Sequence, residues 1–291
     1  MKTFGRFCTV LLAALLTSTG WASDPQGQAE ATVGRGEIPF KLFGDFLIVM
    51  EGSIGDRGKL KFALDTGVTH SVIDHKLADR IPAPRRRLGN VLSFDKTIKA
   101  EWVEVPEIEF GPIHMTNFSM MIGDLGYFQS FATHVDAVIG LDLLRLSSFS
   151  IDYDARKVTF GPVNIVSGVP MEVDGVCITA QLMMGDSKVR LLVDTGAQAL
   201  VLYEDRVAGR LPQLKIGRET AGISMGGWVP SKRGFISNAR LGKTMLDGTL
   251  FLVKSPPGSM LADVDGYFGT AALKARRVDF DFETKTLAWK K

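Results

Sequence analysis

Residues 62–74 read FALDTGVTHSVID: an apolar run, then Asp65-Thr66-Gly67, then a second apolar run. Taken alone, Asp-Thr-Gly is ordinary turn chemistry, because glycine accepts positive φ and Asp or Thr side chains bond to nearby backbone. Residues 191–203 read LLVDTGAQALVLY, which places Asp194-Thr195-Gly196 129 residues further on, between the same kinds of apolar run. Repetition turns a common turn into a candidate structural unit.

Other features keep the same offset. Ala137-Val138-Ile139-Gly140 ends 75 residues beyond Asp65, and Gly266-Tyr267-Phe268-Gly269 ends 75 residues beyond Asp194. Residues 151–160 (IDYDARKVTF) align with 280–289 (FDFETKTLAW), and Lys59-Leu60-Lys61 aligns with Lys188-Val189-Arg190. The chain is an internal duplication. Each copy is far longer than a stacking solenoid repeat, so the pattern predicts two lobes about an approximate two-fold axis. Equivalent loops then meet at that axis, with Asp65 facing Asp194.

Between these anchors the apolar residues fall into short runs rich in Val, Ile and Phe and punctuated by Gly, Pro and Asp. Runs at 46–50, 60–64, 102–105, 113–122, 137–139 and 151–160 read as strands, so the fold class is all-β with a few short helices. The helices are expected at 74–81, where Asp74 is placed to cap, at its counterpart 204–211, and at 141–146 and 270–275. Residues 151–160 alternate apolar with polar around a tight polar turn and read as a hairpin. Pro162, Gly168 and Pro170 mark 162–174 as a linker, which divides the chain into lobes at 37–161 and 175–291.

At 291 residues and 45% hydrophobic content the chain can bury sizeable cores, and 23% charged residues argue against disorder. Residues 1–22 carry a basic start (Lys2, Arg6), an apolar run at 10–16 and small residues around Trp21, and read as a cleaved signal peptide. The alternative is a retained amphiphilic anchor; the run is too short to span a bilayer. Residues 23–36 are polar and read as a flexible lead-in. Export to the periplasm or beyond follows from the signal reading, with no stable membrane insertion after cleavage.

Cleavage takes away Lys2 and Arg6 and no acid, leaving 32 basic residues against 32 acidic ones. A formally neutral chain has no global electrostatic footprint for nucleic acid or anionic membrane. Arg85-Arg86-Arg87 reads as a solvated loop. Cys177 is then the sole cysteine, which rules out an intramolecular disulfide, and its apolar neighbours suggest an inert buried thiol. No phosphate loop, Gly-x-Ser-x-Gly elbow or Cys/His cluster at metal spacing is present, and His70 and His75 read as ordinary histidines. Neither metal nor cofactor is expected.

Two symmetry-related aspartates suit one kind of chemistry. Carboxyl groups held about 3 Å apart cannot both ionise cheaply, so they share one proton over a wide pH range. One then activates water while its protonated partner polarises a carbonyl. Glycine after each Asp-Thr lets backbone approach a carboxylate, and each threonine can tie the loops across the axis.

The paired motifs, each followed by an apolar-apolar-Gly segment ending at Gly140 or Gly269, resemble the aspartic proteases of the pepsin and retropepsin type. They are most similar to bacterial aspartyl-protease-family proteins with two such domains in one chain, and the likeness covers residues 40–291. The resemblance implies a bilobal fold of two homologous barrel-like lobes, a cleft between them, no cofactor and a peptide or protein substrate bound extended. It makes Asp65 and Asp194 the catalytic pair, Thr66 and Thr195 the inter-lobe pair, and Gly67 and Gly196 the loop glycines. One chain then suffices for one active site, whatever the oligomeric state.

Two departures bear on function. Pepsins place Ser or Thr after Asp-Thr-Gly and retropepsins Ala, whereas here the residues are Val68 and Ala197. The hairpin flap is expected at Gly226-Gly227-Trp228, with Trp228 as a packing residue the alternative, and residues 92–103 of the first copy lack the tyrosine found in pepsins. The functional reading is an exported aspartic endopeptidase. A catalytically inactive peptide-binding module is the alternative.

Overall fold

The computed structural model describes residues 15–16, 30–82, 86–92, 97–174, 177–224, 227–256 and 261–291. Nearly all of the segment read as a signal peptide, residues 23–29 of the lead-in, Arg85 and Gly226 lie outside them. The flexible reading of the rest of the lead-in needs correction, because Ala31–Val33 is a strand paired antiparallel with Ile113–Gly123. Among the described residues no helix is long and apolar enough to cross a membrane.

The first copy is a closed barrel. Leu47–Ile54 pairs antiparallel with Arg57–Leu64, which runs parallel to Ala137–Ile139. That short strand is antiparallel to Val72–Asp74, which lies parallel to Ile113–Gly123. Thr97–Phe110 pairs with Ile113–Gly123 and returns to the first strand through Glu109 and Ile108, opposite Ser53 and Ile54. Closure leaves no free edge, and the inward-facing residues (Ile48, Phe62, Leu64, Val103, Ile108 and Ile139) are buried as one core.

The same pairing recurs in the second copy. Ile178–Met184, Ser187–Asp194, Gly266–Gly269, Leu200–Tyr203, Thr249–Val253 and Gly227–Phe235 follow one another around the barrel. Ala239–Leu241 closes it against Ile178–Met184. The closing strand is unbroken in the first lobe. In the second it is split at residues 236–238, where Asn238 takes positive φ.

Between the barrels lies a shared sheet. Phe149–Asp152 pairs antiparallel with Arg277–Asp281, in the register Phe149↔Phe280, Ser150↔Asp279 and Ile151↔Val278. Ser150 and Asp279 occupy equivalent positions of the two copies, so the two-fold axis passes between them. There the Ser150 hydroxyl donates to Asp279 at 2.6 Å. The Phe149 and Phe280 rings stack beside it at 4.7 Å. Gly36–Phe43 and Val169–Val173 extend the sheet on its two sides through Lys157–Phe160 and Thr286–Lys290.

All four expected helices form, as single turns: His75–Ala78, Leu141–Leu144 and Glu204–Val207, and a 3-10 turn at Thr270–Leu273. Asp74 caps the first, accepting from the Lys76 amide at 2.9 Å. The linker reading of 162–174 needs correction. Val169–Val173 is a strand, bonded to residues 178–180 and to Thr286 and Leu287. Pro170 fits because it sits near a strand start at the margin of the shared sheet, where one missing donor is tolerated.

Candidate active site

Both Asp-Thr-Gly loops leave the barrels at the axis. Asp65 follows directly on Arg57–Leu64, its amide bonded to the Ile139 carbonyl at 3.0 Å, and Asp194 ends Ser187–Asp194 opposite Gly269. The polar residues meet in a buried interface: Asp65 is 2% exposed, and Thr66, Asp194 and Thr195 are 1% exposed each. Burying this many polar groups is tolerable only if each finds partners.

The threonines find them in each other. The Thr66 amide donates to the Thr195 hydroxyl at 2.9 Å and the Thr195 amide to the Thr66 hydroxyl at 3.0 Å. Each hydroxyl in turn donates across the axis, Thr66 to the Val193 carbonyl at 2.8 Å and Thr195 to the Leu64 carbonyl at 3.3 Å. The carbonyls that accept lie one residue before the opposing aspartates. Threonine bonding therefore fixes where the aspartates stand.

The glycines leave room for them. A Cβ on Gly67 would lie within 2.7 Å of the Asp194 carboxyl atoms, and one on Gly196 equally within 2.7 Å of those of Asp65. Each lobe's glycine thus makes space for the other lobe's aspartate. Gly140 and Gly269 lie under the loops, where a Cβ would press on the backbone of Val68 and His70 or of Ala197 and Ala199.

Asp65 and Asp194 share a hydrogen bond. Burial raises the pKa of Asp65 to about 6, against the bond from Asp194 and the amides of Gly67 and Gly196, which favour its charged form. Burial also raises Asp194 well above its ordinary value, and the Asp65 charge and the shared bond add to this. The pair therefore holds one proton between its two carboxyls, well above the ordinary carboxylate range.

Support around the dyad differs between lobes. Asp142 accepts from the Ser71 amide and hydroxyl, each at 2.7 Å, and the Ser71 hydroxyl accepts from the Gly140 amide at 3.0 Å. This locks the first aspartate loop onto its glycine segment. In the second lobe, Leu200 and Ala271 occupy the places of Ser71 and Asp142, and the Gly269 amide bonds the Ala199 carbonyl instead. Burial raises Asp142 to about 6, partly offset by the bonds from Ser71 and Leu143. Asp142 was not legible as a site residue from the repeat, because the second copy has no acid there.

His70 stands edge-on to Trp102 at 5.1 Å. Burial lowers its pKa to about 4, with the Arg145 charge adding to the effect, so it is neutral near pH 7. His75 is half-exposed on the other side of the loop beside Asp74, whose carboxylate is already engaged by the Lys76 and Leu125 amides. Cys177 is buried, and burial pushes its thiol far above the usual range.

Gly227 and Trp228 lie at the end of a hairpin made by Lys215–Ser224 and Gly227–Phe235, with Gly227 at φ +104. Trp228 is 59% exposed and so is not a packing residue. Its cross-strand partner Ile223 packs against the apolar cluster of the first lobe that contains Val68 and Trp102. The hairpin of one lobe thus reaches across to the other. Arg86–Leu92 and Thr97–Phe110 form the corresponding hairpin of the first lobe.

The sequence pattern of the aspartyl protease family matches residues 50–143, which hold Asp65, Thr66, Gly67, Gly140 and Asp142. The match stops short of the second copy. No curated protein matches the chain. With this match the β-rich architecture is a pepsin/retropepsin-like fold.

Proposed function

We propose that this chain, whose first lobe matches the aspartyl protease family, is an aspartic endopeptidase whose two lobes contribute one aspartate each to a single site. One observation carries the reading: a buried Asp65–Asp194 pair that shares a hydrogen bond and is positioned by reciprocal bonds between Thr66 and Thr195. A structural role alone gives no reason to bury two carboxyls against each other, because their desolvation and repulsion oppose folding.

Water seated between the carboxyls gives its proton to Asp65 as its oxygen attacks the scissile carbonyl carbon. Asp194 gives its proton to the carbonyl oxygen. The tetrahedral diol then collapses, Asp65 returns its proton to the departing amide nitrogen, the C–N bond breaks, and Asp194 recovers its proton from the diol. Positioned acid–base catalysis of this kind is worth roughly 10²–10⁴-fold in rate. No metal or cofactor enters these steps.

The substrate is a peptide or protein strand laid extended between the lobes, with the Gly227-Trp228 hairpin as a covering flap. Export places the enzyme outside the cytoplasm, as the composition of residues 1–22 suggests. Incubating the protein with a mixed peptide library from pH 3 to 8 tests the activity, with Asp65→Asn as control. Cleavage by the wild type and none by the variant is expected. Peptide binding without cleavage at any pH would favour a binding module instead.

A further inference from the structure

We infer that Tyr127 is a substrate-binding residue: its hydroxyl, buried without a hydrogen-bond partner on a residue packed against the cluster that both lobes contact, is a donor for an oxygen of the bound peptide. The inference rests on the proteolytic reading for the identity of the ligand. It arises from a separate observation.

Tyr127 lies in the 3-10 helix Gly126–Phe131 of the first lobe. That helix is pinned at its start. Asp74 accepts from the Leu125 amide at 3.0 Å, Asp124 accepts from the Gly126 amide at 2.8 Å, and the Ser130 hydroxyl closes the turn onto the Tyr127 carbonyl at 2.7 Å. The Tyr127 ring lies 4.4 Å from that of Phe128 and packs on the apolar cluster that includes Val68, three residues beyond Asp65. Ile223, from the hairpin of the other lobe, packs on the same cluster. Tyr127 is therefore held, half-buried, against a cluster on which residues of both lobes pack.

Its hydroxyl oxygen is buried and has no bonding partner. Folding normally avoids this arrangement, because the group gives up its bonds to water and gains nothing in return. Burial keeps the phenol protonated, and the charges of Asp65 and Asp124 add to that effect, so the group is a donor throughout the range in which the dyad holds one proton. A donor beside Asp65 that bonds nothing in the free protein is satisfied by an acceptor that arrives with substrate. Two other buried polar atoms lack partners in the described residues. Arg57 belongs to a guanidinium already bonded to the Arg80 carbonyl, and Ser231 lies in the second-lobe hairpin.

The test is Tyr127→Phe in the full chain, read three ways. Thermal stability should hold or rise, since the change deletes an unbonded buried hydroxyl. kcat/KM for library peptides should fall by roughly 3- to 10-fold, the worth of one neutral hydrogen bond. Peptide Kd should rise by a similar factor in an Asp194→Asn background, which prevents turnover and leaves Asp65 beside the ring. A uniform loss over all peptides identifies a main-chain carbonyl as the acceptor, and a loss confined to peptides with Ser, Thr, Asn or Gln at one position identifies a side-chain oxygen. A lowered melting temperature would show that the hydroxyl is structural and overturn the inference, as would unchanged Kd and kcat/KM. If the wild type binds peptides without cleaving them, the proteolytic reading fails while Kd still judges Tyr127. No peptide binding at all overturns both.

Discussion

Thr66 and Thr195 each accept a hydrogen bond from the other's amide and each donate to a carbonyl of the other's lobe, so two equivalent residues form a closed set of bonds across the axis. A buried set of this kind resists piecemeal removal. Thr66→Val keeps the shape but strands the Thr195 amide and the Val193 carbonyl, both without access to water. Thr66→Val should destabilise the protein by roughly 2–5 kcal/mol, whereas Thr66→Ser, which keeps the hydroxyl, should cost about 1 kcal/mol. The double change to Val at 66 and 195 should cost less than the sum of the single changes, because they belong to one network. Urea denaturation measures all of these. A Thr66→Val protein within about 0.5 kcal/mol of wild type would show that the bonds contribute little.

Gly67 and Gly196 tie conformation to chemistry across the axis. An alanine at either position puts its Cβ into the opposing carboxyl, not into its own loop. Gly67→Ala should therefore displace Asp194, and Gly196→Ala should displace Asp65, each with a rate loss of about 10²-fold, since a misplacement of about 1 Å at reacting groups carries a penalty of that size. Peptide affinity should change much less than turnover. A substitution at Gly67 that left kcat intact would mean that Asp194 takes no part.

Removing a dyad carboxyl should stabilise the protein while destroying activity. Asp65 has its folded pKa raised from 3.8 to about 6 by burial, and Asp194 is raised further. A raised acid pKa means that the folded state binds the proton more tightly, so stability falls as pH climbs from about 4 through the folded value. At pH 7 Asp65→Asn or Asp194→Asn should gain roughly 1–3 kcal/mol, with the gain fading below pH 4, where the wild-type carboxyls are protonated in both states. Melting temperatures at pH 4 and pH 7 give the comparison. Variants that lose activity and stability together at pH 7 would indicate a structural ion pair or bond that the present geometry does not contain.

What could be read from the sequence was whatever the duplication printed twice. The strands around Asp65 and Asp194, the single-turn helices and the hairpin at 149–160 recur at one offset, and the threonine contacts follow from placing equivalent loops on an axis. Features that break the symmetry gave no such signal. Ser71 and Asp142 bind each other, but the second copy has Leu200 and Ala271 at those positions. Ile223 crosses to the other lobe, a long-range contact that local pattern does not encode. Val169–Val173 was masked by Pro170 and Gly168, which are local breakers in isolation and are accommodated only because neighbouring strands supply the ladder. Tyr127 sits in an aromatic run, GYFQSF, whose composition alone does not separate a core residue from one that lines a site.

The pH dependence expected of the proposed cleavage follows from the burial of the dyad and the residues beside it. The proposed mechanism needs one proton on the dyad. Below about 6 Asp65 takes up a second proton and the water-activating carboxylate is lost, while Asp194 keeps the first proton well above the ordinary carboxylate range. The acid limb should accordingly lie near pH 6, with activity sustained through neutrality. Val68 and Ala197, both fully buried beside the loops, offer no hydroxyl to stabilise a charged carboxylate. Of the two hydroxyls further along the first loop, Thr69 and Ser71, the second is committed to Asp142 and the Gly140 amide, which leaves Thr69 as the one alternative donor there. Supplying the missing donors by Val68→Ser together with Ala197→Ser should stabilise the ionised dyad and move the acid limb downward by a fraction of a pH unit to about one pH unit. Rate profiles of kcat/KM from pH 3 to 8 for both proteins decide the matter. A wild-type optimum below pH 4 would contradict the burial argument, and an unmoved limb in an active double variant would show that these two positions do not set the proton affinity of the dyad.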